Sequence, residues 1–145
     1  MQDLPHHYRA AALLDAQGNV AVTSEGLPTI ETAPPREFGG PGDRWSPETL
    51  LMAAVADCFL LSFRAIATAS KFSWHSLSCE VEGTLDKLDR AMQFTAMHLT
   101  IRLTTAERID VERADRLIRR AEQSCLISNS LKAESHLDIT YEVGS

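Results

Sequence analysis

Cysteine is scarce in this chain of 145 residues, with 3 in all, Cys58, Cys79 and Cys125, widely separated. An odd and dispersed set fits neither a disulfide scaffold nor a zinc site of the CxxC type. Positive charge is also in deficit, since 14 Lys and Arg against 20 Asp and Glu leave a formal net charge of -6. Nucleic acid and anionic membrane both demand a basic patch, so neither is an expected partner. The opening MQDLPHHYRAA lacks the basic region, apolar run and cleavage site of a secretory leader. The apolar stretch from Glu48 to Ser70 is broken by Asp57, Ser62 and Arg64, short of the roughly 20 uninterrupted residues of a membrane span, and reads as a buried core helix. A cytoplasmic location is therefore expected, and in a reducing cytosol a disulfide would be transient and catalytic.

Other chemistries lack their signatures. There is no Gly-x-Ser-x-Gly elbow for a serine hydrolase, and the glycine-rich FGGPGD has no P-loop lysine for a phosphate. His6 and His7 lie near a terminus while His75, His98 and His136 are isolated in sequence, so no metal site is expected.

The length suits one domain over residues 1–145. The runs HYRAAALLD, NVAVTSEG and LPTIETA, divided by turn-type residues, predict three short antiparallel strands. Prolines and glycines between Ala33 and Arg44 predict a structured loop. Ser46 then stands where an N-cap belongs, Pro47 fits the first helical position and Glu48 the first turn, so a long helix is predicted to about Ser70. Strict alternation predicts strands over WHSLSCEVEGTLDKL, with Cys79 facing inward, and over Phe94 to Leu103, with a turn at Asp89 to Met92. Val111, Ala114, Leu117, Ile118 and Ala121 recur at helical spacing behind the N-cap candidate Asp110, predicting a helix to Cys125 that Ser128 to Ser130 break. Ser135 to Val143 closes the chain as a strand. That order is α+β and not the regular alternation of a parallel α/β sheet.

Two of the thiols, Cys58 in mid-helix and Cys125 at the end of another helix, suggest redox chemistry. A free cysteine is ordinarily a small buried hydrophobe, which is the reading kept for Cys79. A nucleophilic cysteine must be a thiolate, and apolar burial alone raises a thiol pKa, so a reactive Cys58 needs a cation beside it. Glu48 lies on the same helix, roughly 15 Å along the axis from Cys58, and cannot touch its sulfur directly.

The run FGG-PGD-R-W-SPETLL-AAVADCF, with the Pro47-Glu48 pair ahead of helical Cys58 and the distant CLISNSL around Cys125, resembles the OsmC/Ohr family of thiol-dependent peroxidases. The resemblance spans nearly the whole chain. It implies an OsmC-like fold, antiparallel strands around a long buried central helix and a second helix, in an intertwined homodimer with active sites at the interface. It further implies reduction of organic hydroperoxides, and of hydrogen peroxide, with Cys58 attacking, Cys125 resolving through a disulfide, and Glu48 steering an arginine onto the thiolate. Arg36 occupies the loop where OsmC-type members place that arginine, at slightly longer spacing, and Arg44 is the alternative. Ohr-type members place it near the first hairpin, where this chain has Gln17 and Gly18. The implied reductant is a dithiol such as a dihydrolipoyl protein, with no bound cofactor. Phe38, Trp45, Met52, Phe59 and Leu126 are candidates to line an apolar pocket. Two further readings stay open: a non-catalytic module of the same fold holding a small hydrophobic ligand, and a thiol redox sensor.

Overall fold

The computed structural model describes residues 1–144, whose contacts group into two units, Met1–Leu50 and Leu51 onward. In the first unit, strands β1 (Ala11–Leu13), β2 (Val20–Thr23) and β3 (Ile30–Thr32) form an antiparallel sheet in that order. The following loop folds back on β3. Thr32 bridges Trp45, and the Ala33 amide donates to the Trp45 carbonyl at 2.9 Å. Within the loop a single 3-10 turn, Arg36–Phe38, ends at Gly39 with φ 84, a left-handed position that glycine adopts without strain. Gly40 has no room for a side chain, because a Cβ would collide with the Pro34 carbonyl.

Helix α1 (Pro47–Ala69) starts as its sequence predicts. The Thr49 amide donates to Ser46 Oγ at 3.1 Å and the Ser46 amide donates to Thr49 Oγ1 at 2.9 Å, a reciprocal cap in which threonine takes the place usually held by Glu or Gln. Its stop is a Schellman turn: the Phe72 amide reaches the Ala67 carbonyl, that of Lys71 reaches Thr68, and Lys71 sits at φ 54. One stripe of the helix, Val55, Phe59, Phe63 and Ala67, is completely buried. Spaced one turn apart, these residues face the core, and each Val or Phe contributes about 1.5–3 kcal/mol by leaving water. The other faces of the helix are less covered; Leu61, for example, is half exposed. Length and composition alone would also let it cross a membrane, contrary to the count of interruptions made above. A single buried stripe and a polar-capped start are what a core helix shows.

In the second unit, β4 (Ser76–Leu88) and β5 (Ala91–Thr105) form a long antiparallel hairpin with a bulge at Thr84/Leu85. The predicted turn is shorter than expected. Asp89 and Arg90, at φ 49 and 69, make the whole turn, so pairing continues to Leu88 opposite Ala91. Helix α2 (Val111–Gln123) crosses over and β6 (Glu134–Val143) pairs with β5 in parallel, giving the order β4-β5-β6. The expectation of antiparallel strands therefore fails for this one pair, because a helical crossover returns the chain to the same end of the sheet. Met97, Leu99, Ile101 and Leu103 of β5 are buried against α1 and the α2 residues Ala114, Leu117, Ile118 and Ala121. Met52 of α1 packs over Gly83 of β4.

Candidate active site

Cys125 stands at a corner. Helix α2 ends at Gln123, and Cys125 is the N-cap residue of a short helix α3 (Leu126–Asn129), where the sequence suggested one helix ending at Cys125. The serines explain the difference, since their hydroxyls return to carbonyls of the preceding turn. Ser124 Oγ donates to the Arg120 carbonyl at 2.9 Å and Ser130 Oγ to that of Leu126 at 2.8 Å, which ends each helix promptly. Asn129 Nδ2 donates to the Gln123 carbonyl at 3.0 Å and ties the two helices together. Cys125 is thus held on rigid backbone and fully buried.

The Cys58 thiol, half-buried on α1, lies near enough to the Cys125 thiol to influence its ionisation. Burial pushes the Cys125 thiol above its ordinary pKa, and the nearness of Cys58 adds to this. The Ser128 hydroxyl and amide pull the other way, although their alignment falls short of a full cap hydrogen bond. Cys79, read from the sequence as structural, shares this neighbourhood. Its thiol is pushed up to about 12 by burial, then by the charges of Glu122 and Cys125. One carboxylate oxygen of Glu122 is buried there without a hydrogen-bond partner. Neither residue was singled out for function by the sequence: the signal for Cys79 was only its inward place on β4, and Glu122 carries no motif.

Among the sequence-predicted residues, Cys58 and Cys125 are brought together. Arg36 and Glu48 belong to the first unit. The Arg36 side chain lies against Gly42, where any Cβ would strike it, and among the described residues it makes no ion pair. Glu48 holds the first turn of α1 with Oε1 buried and unpartnered. Arg44, the alternative cation, pairs with Glu31 at 3.7 Å. Phe59 does not line a pocket: it is fully buried in the core beside Val55 and Phe63. Phe38, Trp45 and Leu126 are about half or more exposed, and Met52 is partly buried over Gly83. Among the described residues no three His, Cys, Asp or Glu side chains converge on one point as a ready metal centre. Two neighbouring thiols on separate elements can pass two electrons to an oxidant and close a disulfide.

Comparison with known proteins agrees with this architecture. The family model described as OsmC-like protein matches residues 40–140. The uncharacterized protein YmaD of Bacillus subtilis (strain 168) is 26% identical over 143 residues, 95% of this chain and 94% of its own. Peroxiredoxin OsmC of Escherichia coli (strain K12) is 31% identical over 93 residues, 64% of each chain. The crystal structure of an organic hydroperoxide resistance protein OsmC from Legionella pneumophila superposes with a TM-score of 0.73 at 26% identity, covering 99% of this chain and 100% of that one.

Proposed function

This chain belongs to the OsmC-like protein family, which includes peroxiredoxin-like enzymes, and we propose that it is a thiol-dependent peroxidase that reduces organic hydroperoxides through Cys58 and Cys125. The observation that carries the reading is the proximity of those two thiols, with Cys58 acting on the ionisation of Cys125. The Cys58 thiolate attacks the distal oxygen of ROOH; the O–O bond breaks, ROH leaves with a proton, and Cys58 becomes a sulfenic acid. Cys125 then attacks the Cys58 sulfur, the S–O bond breaks, and water leaves as the disulfide forms. A dithiol of the dihydrolipoyl class reduces that disulfide and is itself oxidised, which restores both thiols. Hydrogen peroxide would follow the same path with water in place of ROH.

The thiolate needs a cation, and Arg36 steered by Glu48 is the proposed source. The buried, unpartnered Oε1 of Glu48 favours this, since a carboxylate oxygen without a partner is costly unless a cation or donor meets it. We assign that meeting to a homodimer, in which the single domain of residues 1–145 packs against a second copy. The apolar surface that α1 leaves uncovered in one chain, half-exposed Leu61 included, supports such a partner. The reading takes the cytoplasm as its location, since a reducing compartment keeps both thiols available.

Thiol titration with intact mass, before and after one equivalent of cumene hydroperoxide, tests the proposal. Two thiols and about 2 Da should disappear rapidly, and Cys58→Ser should abolish both losses. Cys125→Ser should leave a Cys58 sulfenic acid that dimedone traps. Arg36→Ala and Arg44→Ala decide between the two cations by which one slows the first step. No reaction within minutes would refute a peroxidatic Cys58 and leave a ligand-binding module; disulfide formation without turnover on a dithiol would make the protein a redox sensor.

A further inference from the structure

The outward face of the β4-β5-β6 sheet carries chemistry that the thiol site does not use. Register places Glu82 of β4 opposite His98 of β5, and His98 opposite His136 of β6. The three residues form one row across the sheet, and all are exposed. The two imidazoles lie with ring centroids 5.0 Å apart and planes tilted by 31°. We propose that His98 and His136 form a binding site for a divalent transition-metal ion of the zinc, nickel or copper class, with Glu82 as the third protein ligand.

The donor set suits that class. Neutral imidazole binds zinc, nickel and copper in preference to magnesium or calcium, and a carboxylate is a common third ligand. A metal–nitrogen bond of about 2.0–2.1 Å puts two ligating nitrogens about 3 Å apart. Rings whose centres are 5.0 Å apart reach that separation by side-chain rotation alone, without moving the strands. As the side chains stand, no three donors among the described residues converge, so an ion would have to draw Glu82 toward the two imidazoles. A row on paired strands is also rigid, so an ion entering it orders only side chains.

Charge around the rings points the same way. The flanking rows of this face add Glu134 on one side and Glu80 and Asp138 on the other. The cation nearest in the register, Arg102, is engaged with Glu142 at 3.5 Å. On the edge beside β6, Arg119 is held by Asp115 at 2.9 Å, and Glu122 borders a cleft of about 390 Å³ that His136 also lines. Carboxylates on both flanking rows of the two imidazoles favour a dication there.

Ni²⁺ titrated calorimetrically into the full chain and into His98→Ala, His136→Ala and Glu82→Gln tests the site, with circular dichroism to confirm that each variant is folded. The wild type should take one Ni²⁺ per chain saturably, weakened at least tenfold in each histidine variant and severalfold in Glu82→Gln. Absence of saturable binding up to about 1 mM, or affinity unchanged in both histidine variants as thiol ligation would give, overturns the proposal. An unchanged Glu82→Gln overturns the carboxylate's part in it.

Discussion

Arg113 is the side chain whose removal should most clearly loosen the end of the helix that carries Cys58. The last turn of α1 has no basic residue of its own to meet its free carbonyls. Arg113 of α2 supplies the missing cation: its Nη2 donates to the Ser70 carbonyl at 2.5 Å, and its guanidinium lies 5.4 Å from the centre of the Phe72 ring. A charge-assisted hydrogen bond contributes about 1.5–3 kcal/mol and a cation–π contact about 0.5–1 kcal/mol when partly exposed. Arg113 is only half-buried, so the lower halves of these ranges apply, and Arg113→Ala should destabilise the fold by about 2 kcal/mol. Urea unfolding at fixed protein concentration reads this as a lower midpoint with an unchanged slope. Arg113→Lys should recover part of the loss, because a point charge restores attraction to the carbonyl without the planar fork. A double-mutant cycle with Phe72→Leu should return a coupling of about 0.5–1 kcal/mol. A loss below about 0.5 kcal/mol for Arg113→Ala, or additivity in the cycle, would refute the idea that α2 clamps the end of α1.

Further outcomes follow from the thiols and the packing. Cys79 keeps its proton in the folded chain up to about pH 12 but releases it near 9.0 when unfolded, so folding holds more protons and stability is lost as pH rises through that window. Cys125 and Tyr141, both also raised, act in the same direction, and Cys79→Ala should flatten the alkaline fall in urea midpoint without removing it. By the same shift, iodoacetamide at pH 8 should alkylate folded Cys79 about a thousandfold more slowly than an unperturbed thiol, as peptide mapping would show. Gly83→Val should push against Met52 and Phe94 and destabilise by about 1–3 kcal/mol, and Met52→Ala in the same chain should restore part of it.

Much of the architecture is encoded in patterns only a few residues long. The cap at Ser46, the proline after it, the N-cap at Asp110 and the alternation along β4 and β5 all act between neighbours in the chain, and each stands in the structure where its pattern predicts. The start of α1, the face of β5 that enters the core and the apolar stripe of α2 could therefore be read without coordinates. The OsmC-like resemblance added the fold, because a motif spread over the chain reports a long-range arrangement that periodicity cannot. Where strands and helices end was less legible: serine hydroxyls that bond back to the preceding turn ended α2 before Cys125, and Asp89 and Arg90 alone closed the hairpin.

Pairing across long separations belonged to the tertiary structure alone. Nothing local tells that β6 lies parallel to β5, that Cys79 and Glu122 stand beside Cys125, or that His98 and His136 face each other on neighbouring strands. Each of those facts depends on how α2 carries the chain across the sheet and on which register the buried faces accept. A one-residue slip of β5 would exchange its two faces and send His98 into the core, so register is set by burial of Met97, Leu99 and Ile101 rather than by any property of the histidines themselves. Helix starts and strand faces are short-range consequences of backbone geometry; the meeting of thiols and of imidazoles is a consequence of packing, which only the folded chain possesses.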